Sequence, residues 1–64
     1  MPREVFDPEE FLRIAERATE CRIKRLGDAM KLKLRTSRYL YTLKINAEEG
    51  EKLLRRIKCP KREI

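Results

Sequence analysis

Met30-Lys31-Leu32-Lys33-Leu34-Arg35 alternates apolar and cationic side chains without a break. Successive side chains of a β-strand point to opposite faces, so this stretch puts Met30, Leu32 and Leu34 on one face and Lys31, Lys33 and Arg35 on the other. A helix would scatter the same residues around its axis, and the period of two therefore reads as a strand with one face buried. The three cations then stand in a line about 7 Å apart along the solvent side.

The alternation continues on both sides. After Thr36-Ser37-Arg38, residues Tyr39, Tyr41, Leu43 and Ile45 alternate with Leu40, Thr42 and Lys44, and the aromatic and β-branched residues suit a second strand. The connection from Thr36 to Tyr39 must be short, yet it holds no Gly, Asn or Pro, which leaves its turn type open. Before the central stretch, Leu26-Gly27-Asp28-Ala29 supplies a turn in which Gly27 is free to take positive φ. Cys21 and Ile23 alternate with Arg22 and Lys24 ahead of that turn, so a third strand is expected there.

Helices are expected at both ends. Asp7 is a good N-cap, Pro8 takes the first helical position and Glu10 stands where a capping box has its acid. Phe11, Ile14, Ala15 and Ala18 follow helical spacing and form one apolar stripe, which predicts a helix over 7–18. Phe6 and Phe11 are spaced for a hydrophobic staple, and Glu9 and Arg13 for an ion pair one turn apart. Asn46 and Glu49 mark a second helix start, with Leu53, Leu54 and Ile57 as its buried stripe. Arg55, Arg56 and Lys58 suit its negative end, and Pro60 stops it. Gly50 within it costs about 1 kcal/mol relative to Ala. Residues 59–64 read as a short basic tail that orders on a partner.

One apolar face per element predicts an α+β, two-layer sandwich: helix, three-stranded antiparallel sheet, helix, in one domain spanning 1–64. Both helices cover the Met30/Leu32/Leu34 and Tyr41/Leu43/Ile45 face. Arg22, Lys24, Lys31, Lys33, Arg35 and Lys44 occupy the other, a face on which this pattern places no carboxylate.

The 64 residues carry 17 Lys and Arg against 11 Asp and Glu, a net charge of +6. Residues 1–20 are net −3, residues 21–45 net +7 and residues 46–64 net +2. Charge concentrated in the middle third attracts a polyanion in a defined orientation, as a phosphate backbone requires. Polar residues also cover the solvated side of any antiparallel sheet, but such a cover normally mixes acids and hydroxyls among the lysines. Nucleic acid is the partner class expected.

Catalysis is not expected. The chain has no His and no Gly-rich phosphate loop, and the acid pairs Glu9/Glu10 and Glu48/Glu49 sit in helix first turns, where capping accounts for them. Cys21 and Cys59 are too few and too far apart in sequence for a zinc site, so no metal or cofactor is expected. The N-terminus has no apolar stretch, which points to a reducing cytoplasm with both thiols structural. No apolar run approaches the length of a membrane span, and neither a membrane nor a small-molecule substrate is expected.

Thr36-Ser37-Arg38-Tyr39-Leu40-Tyr41 joins hydroxyls, a guanidinium and two rings at a turn. Arg38 can fork onto a phosphate, Ser37 can donate to one, and Tyr39 can stack on an unpaired base, although both tyrosines also suit a core rim. At Ser37-Arg38-Tyr39-Leu40-Tyr41-Thr42-Leu43 the chain resembles the small archaeal and eukaryotic large-subunit ribosomal protein family numbered thirty-eight in the eukaryotic series. The opening Met1-Pro2-Arg3-Glu4-Val5, the Phe11-Leu12 pair and the alternating strand from Met30 to Arg35 are similar to that family too. The C-terminus departs from the family, which often carries a longer tail containing Pro and Gly. The resemblance implies a structural constituent of the ribosome, a monomer outside it, bound to large-subunit rRNA beside neighbouring ribosomal proteins. It places Ser37, Arg38 and Tyr39 against RNA, with Pro2 and Arg3 as a second anchor. From the residues alone, a small protein-interaction module and a free-standing RNA-binding regulator remain alternatives.

Overall fold

The computed structural model describes residues 2–63, Pro2 by its backbone alone. Its elements run β1 (Pro2–Glu4), α1 (Pro8–Ala15), β2 (Glu20–Leu26), β3 (Ala29–Arg35), β4 (Leu40–Asn46), α2 (Ala47–Arg56) and β5 (Lys61–Glu63). The three central strands form the expected antiparallel meander. The sheet, however, has five strands, in the order β1-β4-β3-β2-β5. β1 pairs parallel to β4 and β5 parallel to β2, so only β3 runs against the rest. The sheet is therefore mixed, and β1–α1–β2 and β4–α2–β5 are both crossover units that lay a helix over the sheet.

The difference has a backbone cause. Val5 N–H donates to Thr42 O at 2.8 Å, and Cys21 N–H donates to Pro60 O at 2.8 Å, so both chain ends satisfy the open edges of the meander. The tail expected to order on a partner is instead strand β5 over residues 61–63, and Ile64 lies outside the described residues. Arg25 pairs with Glu63 of β5 at 3.1 Å and with Glu51 of α2, joining three elements at that edge.

Both expected N-caps form, with Asp7 Oδ1 accepting from Glu9 N–H at 3.1 Å and Asn46 Oδ1 from Glu49 N–H at 2.8 Å, but among the described residues neither Glu10 nor Glu49 returns the bond of a capping box. Helix α1 stops at Ala15, short of residue 18, where bonds from Arg17 N–H to Ile14 O and from Ala18 N–H to Ala15 O tighten the last turn. Gly27 takes φ +61° in the two-residue β2–β3 connection, the first central position of a type II′ turn.

The core lies between the helices and one face of the sheet. Phe11, Met30, Leu32, Leu34 and Cys21 are fully enclosed, and Ile14, Ile23, Leu43, Leu53, Leu54 and Ile57 pack around them. Two local expectations fail here. Phe6 is 83% exposed while Phe11 is enclosed, so no staple forms. Glu9 pairs with Arg56 of α2 at 3.2 Å and not with Arg13.

Gly50 is buried because α2 crosses β3 there: a Cβ on Gly50 would overlap Met30 Sδ, closer than the sum of their van der Waals radii. Gly50→Ala gains about 1 kcal/mol of helix propensity but overpacks the core at a cost of about 1–3 kcal/mol. A net loss of about 1 kcal/mol is expected in urea unfolding. In a Met30→Val background, which removes the sulfur, the same change becomes neutral or stabilising. A coupling energy near zero between the two sites would mean that the close approach carries no strain.

Candidate nucleic-acid interface

Strand register assigns each cation to a face. Lys24 pairs with Lys31, and Lys31 with Lys44, so three lysines stand side by side across β2, β3 and β4. Arg62, Arg22 and Lys33 form the next row, continued by Thr42 and Glu4. Glu20 and Arg35 begin the third row. Rows lie about 7 Å apart along the strands and neighbours within a row about 5 Å apart, giving a lattice of positive charge on the side of the sheet away from the helices.

All six sheet residues expected on this face stand on it: Arg22, Lys24, Lys31, Lys33, Arg35 and Lys44. Arg62 joins them, unforeseen because β5 was not expected as a strand. The expectation of a face without carboxylates is corrected at its margins. Glu20 and Glu4 share the face, because β2 begins at Glu20, one residue before Cys21, and β1 supplies an outer edge. The face thus holds seven cations against two carboxylates by register, nearly the whole net charge of the chain.

Glu20 is occupied locally. It accepts from Arg22 Nε at 2.9 Å and lies 3.9 Å from Arg62, and the hydrogen bond from Arg22 is the main cause holding its carboxyl below the usual range. Among the described residues, Lys24, Lys31, Lys33, Arg35 and Lys44 form no ion pair. Like charges directly opposite one another destabilise a sheet. The Lys24–Lys31–Lys44 row therefore opposes folding, a cost that added salt or a bound anion relieves.

A second cluster lies at one end of the β3–β4 hairpin. Its turn is closed by Thr36, whose N–H donates to Tyr39 O at 3.0 Å. The Thr36 hydroxyl donates to the same carbonyl at 2.9 Å and accepts from Tyr39 N–H at 3.1 Å. The hydroxyl does the work that Gly or Asn does in other turns. Ser37 and Arg38 are left exposed at the tip. The Arg3 guanidinium stacks over the Tyr39 ring at 4.3 Å, and Tyr39 meets Tyr41 edge-on at 5.9 Å. One face of Tyr39 is thus already covered, which limits base stacking to the other.

Register pairs Arg3 with Tyr41, the neighbour of enclosed Leu34, so Arg3 lies on the helix side of the sheet. The expected site residues therefore divide into a lysine lattice and a tip cluster of Arg3, Ser37, Arg38 and Tyr39, and do not form one continuous line. Pro2 pairs with Leu40 through its backbone, and its side chain lies outside the described atoms.

Neither thiol is poised for chemistry. Burial, with a smaller push from Cys59, raises the Cys21 thiol to about 11, and burial raises Cys59 as well. Neither is a thiolate near neutral pH. Among the described residues no three Cys, Asp or Glu side chains are grouped to hold a metal ion.

Comparison with known proteins places the chain among ribosomal proteins. Residues 1–61 match the family described as the Ribosomal L38e protein family. The large ribosomal subunit protein eL38 of Aeropyrum pernix is 48% identical over 59 residues, which cover 92% of this chain and 88% of that protein. The large ribosomal subunit protein eL38B of Schizosaccharomyces pombe is 51% identical over 57 residues, covering 83% of this chain and 77% of that protein.

Proposed function

We propose, because this chain belongs to the ribosomal L38e protein family, that it is fixed in the large subunit by rRNA phosphates bound across its lysine lattice. Membership makes it a structural constituent of the large ribosomal subunit, with the ribosome of the cytoplasm as its place of work. The reading of its contacts rests on one observation: a row of three lysines, opposed across adjacent strands, with no ion pair among the described residues.

Phosphate contacts fix position and orientation without reading sequence. A rigid sheet suits that task, since its cations are spaced by backbone register and need little ordering on binding. Lys31, Lys33 and Lys44 provide the middle of the footprint, Arg22, Lys24 and Arg35 its flanks. At the tip, Arg38 and Ser37 reach a further phosphate. Arg3, exposed and preorganised by its stack on Tyr39, serves as a second anchor.

Affinity for large-subunit rRNA fragments should fall steeply with salt, through release of counterions. Arg38→Ala is expected to reduce the slope of log K against log salt by about one. Sucrose-gradient sedimentation supplies the cellular test. The chain should travel with the large subunit and leave that fraction after RNase. Travel in an RNase-resistant complex of other size would reject the assignment in favour of a protein-interaction module.

A further inference from the structure

The two helices run the same way. Each follows one of the parallel strands and returns to the start of another, so α1 and α2 both end where β2, β4 and β5 begin. The Thr36–Tyr39 turn lies at this end too, since Glu20, Arg35 and Leu40 share one row. Thr19 N–H, donating to Arg35 O at 2.8 Å, ties the chain after α1 to that hairpin. An open groove of about 420 Å³ brings the helix ends together, lined by Ala15, Glu16 and Ala18 from the first and by Arg56, Lys58 and Pro60 from the second. Arg17, Arg38, Arg55, Lys58 and Lys61 are exposed at this end and, among the described residues, form no ion pair. Arg56 is spent on Glu9 at 3.2 Å. Glu16 is the one exposed carboxylate of the described residues there, half-buried Glu20 being held by Arg22.

The helix starts carry the opposite charge. Asp7, Glu9 and Glu10 open α1, and Glu48 and Glu49 open α2. Ala47 N–H donates to Asp28 O at 2.7 Å, which sets Asp28 beside the start of α2. Helix dipoles account for part of this sorting, because acids suit first turns and cations last turns. They do not account for Arg38 or Lys61, which belong to the hairpin turn and to β5. Lys61 pairs with Cys21, whose side chain is enclosed in the core, so register puts Lys61 on the helix side of the sheet. Cations thus follow one another around this end, from Arg35 on the lattice face, across Arg38 at the tip, to Arg17, Arg55, Lys58 and Lys61 on the helix side.

We infer that a second stretch of rRNA backbone binds the cations at the C-terminal ends of α1 and α2, on the side of the sheet away from the lysine lattice. Arg17 and Lys58 hold its phosphates at the two sides of the groove, with Arg55 and Lys61 flanking them. Continuity decides for RNA over an acidic protein segment. A backbone already held at Arg35 and Arg38 presents its next phosphates to these cations at high effective concentration. At the other ends of the same helices, Asp7, Glu10, Glu48 and Glu49 repel phosphate, which confines this contact to one end. Two RNA contacts on opposite faces fix the tilt of the chain, which one face alone leaves free. The inference rests on the rRNA reading of the lattice above.

The test places a photoreactive phenylalanine analogue at position 33, at position 58 and at position 48, one at a time, in the full chain incorporated into large subunits. After irradiation, positions 33 and 58 should both yield adducts that RNase removes, and position 48 should yield no RNA adduct. Arg17→Glu combined with Arg55→Glu should lower the yield at position 58 severalfold and leave position 33 unchanged. With position 33 on RNA, four results would each overturn the inference and leave the lattice standing. They are an RNase-resistant adduct at position 58, no adduct there, a yield there indifferent to the two charge reversals, or an RNA adduct of equal yield at position 48. Absence of the chain from large subunits, or no RNA adduct at position 33, would instead bring down the reading on which the inference rests.

Discussion

Replacing Lys24, Lys31 and Lys44 together by Gln is expected to weaken binding to large-subunit rRNA by about a hundredfold or more at moderate salt, and to make the free protein more stable. The first effect follows from counterion release, in which each lost phosphate contact removes about 0.9 from the salt slope, so that three remove nearly three. The second follows from register. Lys31 faces Lys24 on one side and Lys44 on the other, and two opposed like-charge pairs cost about 0.5–2 kcal/mol together. Gln keeps the length of the side chain and most of its cover over the sheet, so packing is little changed. The gain in stability should shrink as salt is added, because screening already relieves the repulsion in the parent protein. Fluorescence anisotropy across a salt series and urea unfolding at two ionic strengths check both. A triple variant that binds RNA like the parent and unfolds at the same urea concentration would show that the row neither meets phosphate nor strains the sheet.

That row could be only half seen in the sequence. Alternation in Met30–Arg35 and Tyr39–Ile45 assigned each cation to a face, because a period of two leaves no other choice once one face is apolar. Which lysine stands opposite which is a matter of register, and register is set by the Gly27–Asp28 turn and the Thr36 clasp. The first was legible from Gly27; the second was not, since a threonine hydroxyl closing a turn leaves no distinctive local signature. The helices were legible from Asp7-Pro8 and from Asn46 with Glu49, whose caps depend on neighbours in sequence.

What escaped was decided by distant backbone. Pro2-Arg3-Glu4 and Lys61-Arg62-Glu63 contain no apolar residue, so no periodicity announces a strand, and what makes them strands is the pair of open edges left by the meander. Two consequences followed for the site. Arg62 and Glu4 joined the lattice through those edge strands, and Arg3 was carried to the helix side, onto Tyr39. The spacing of Phe6 and Phe11 met the local rule for a staple. It failed because β1 holds the preceding chain against β4, leaving Phe6 outside the core.

The same pair of phenylalanines separates core from surface. Phe11→Ala should cost about 3–5 kcal/mol, since the ring is completely enclosed and its loss leaves a cavity in the core under α1. A chain of 64 residues has about 3–10 kcal/mol of stability in total, so the variant is expected to lose most of it and to melt about 15–30 °C lower. Phe6→Ala, by contrast, should shift stability by no more than about 0.5 kcal/mol, as for other exposed positions. Equal losses at the two sites would mean that Phe6 is packed after all. Binding then provides a further arm. A folded-state ligand at about a hundred times its Kd returns about 2.7 kcal/mol, so saturating rRNA should recover much of the fold of Phe11→Ala in circular dichroism. Recovery requires that the lattice be assembled only when the sheet is, because the cations of β2, β3 and β4 reach their rows through strand pairing and not through proximity in the chain. An unfolded Phe11→Ala chain that bound RNA as tightly as the parent, with the same salt slope and no gain in structure, would reduce the sheet to a mere carrier of charge.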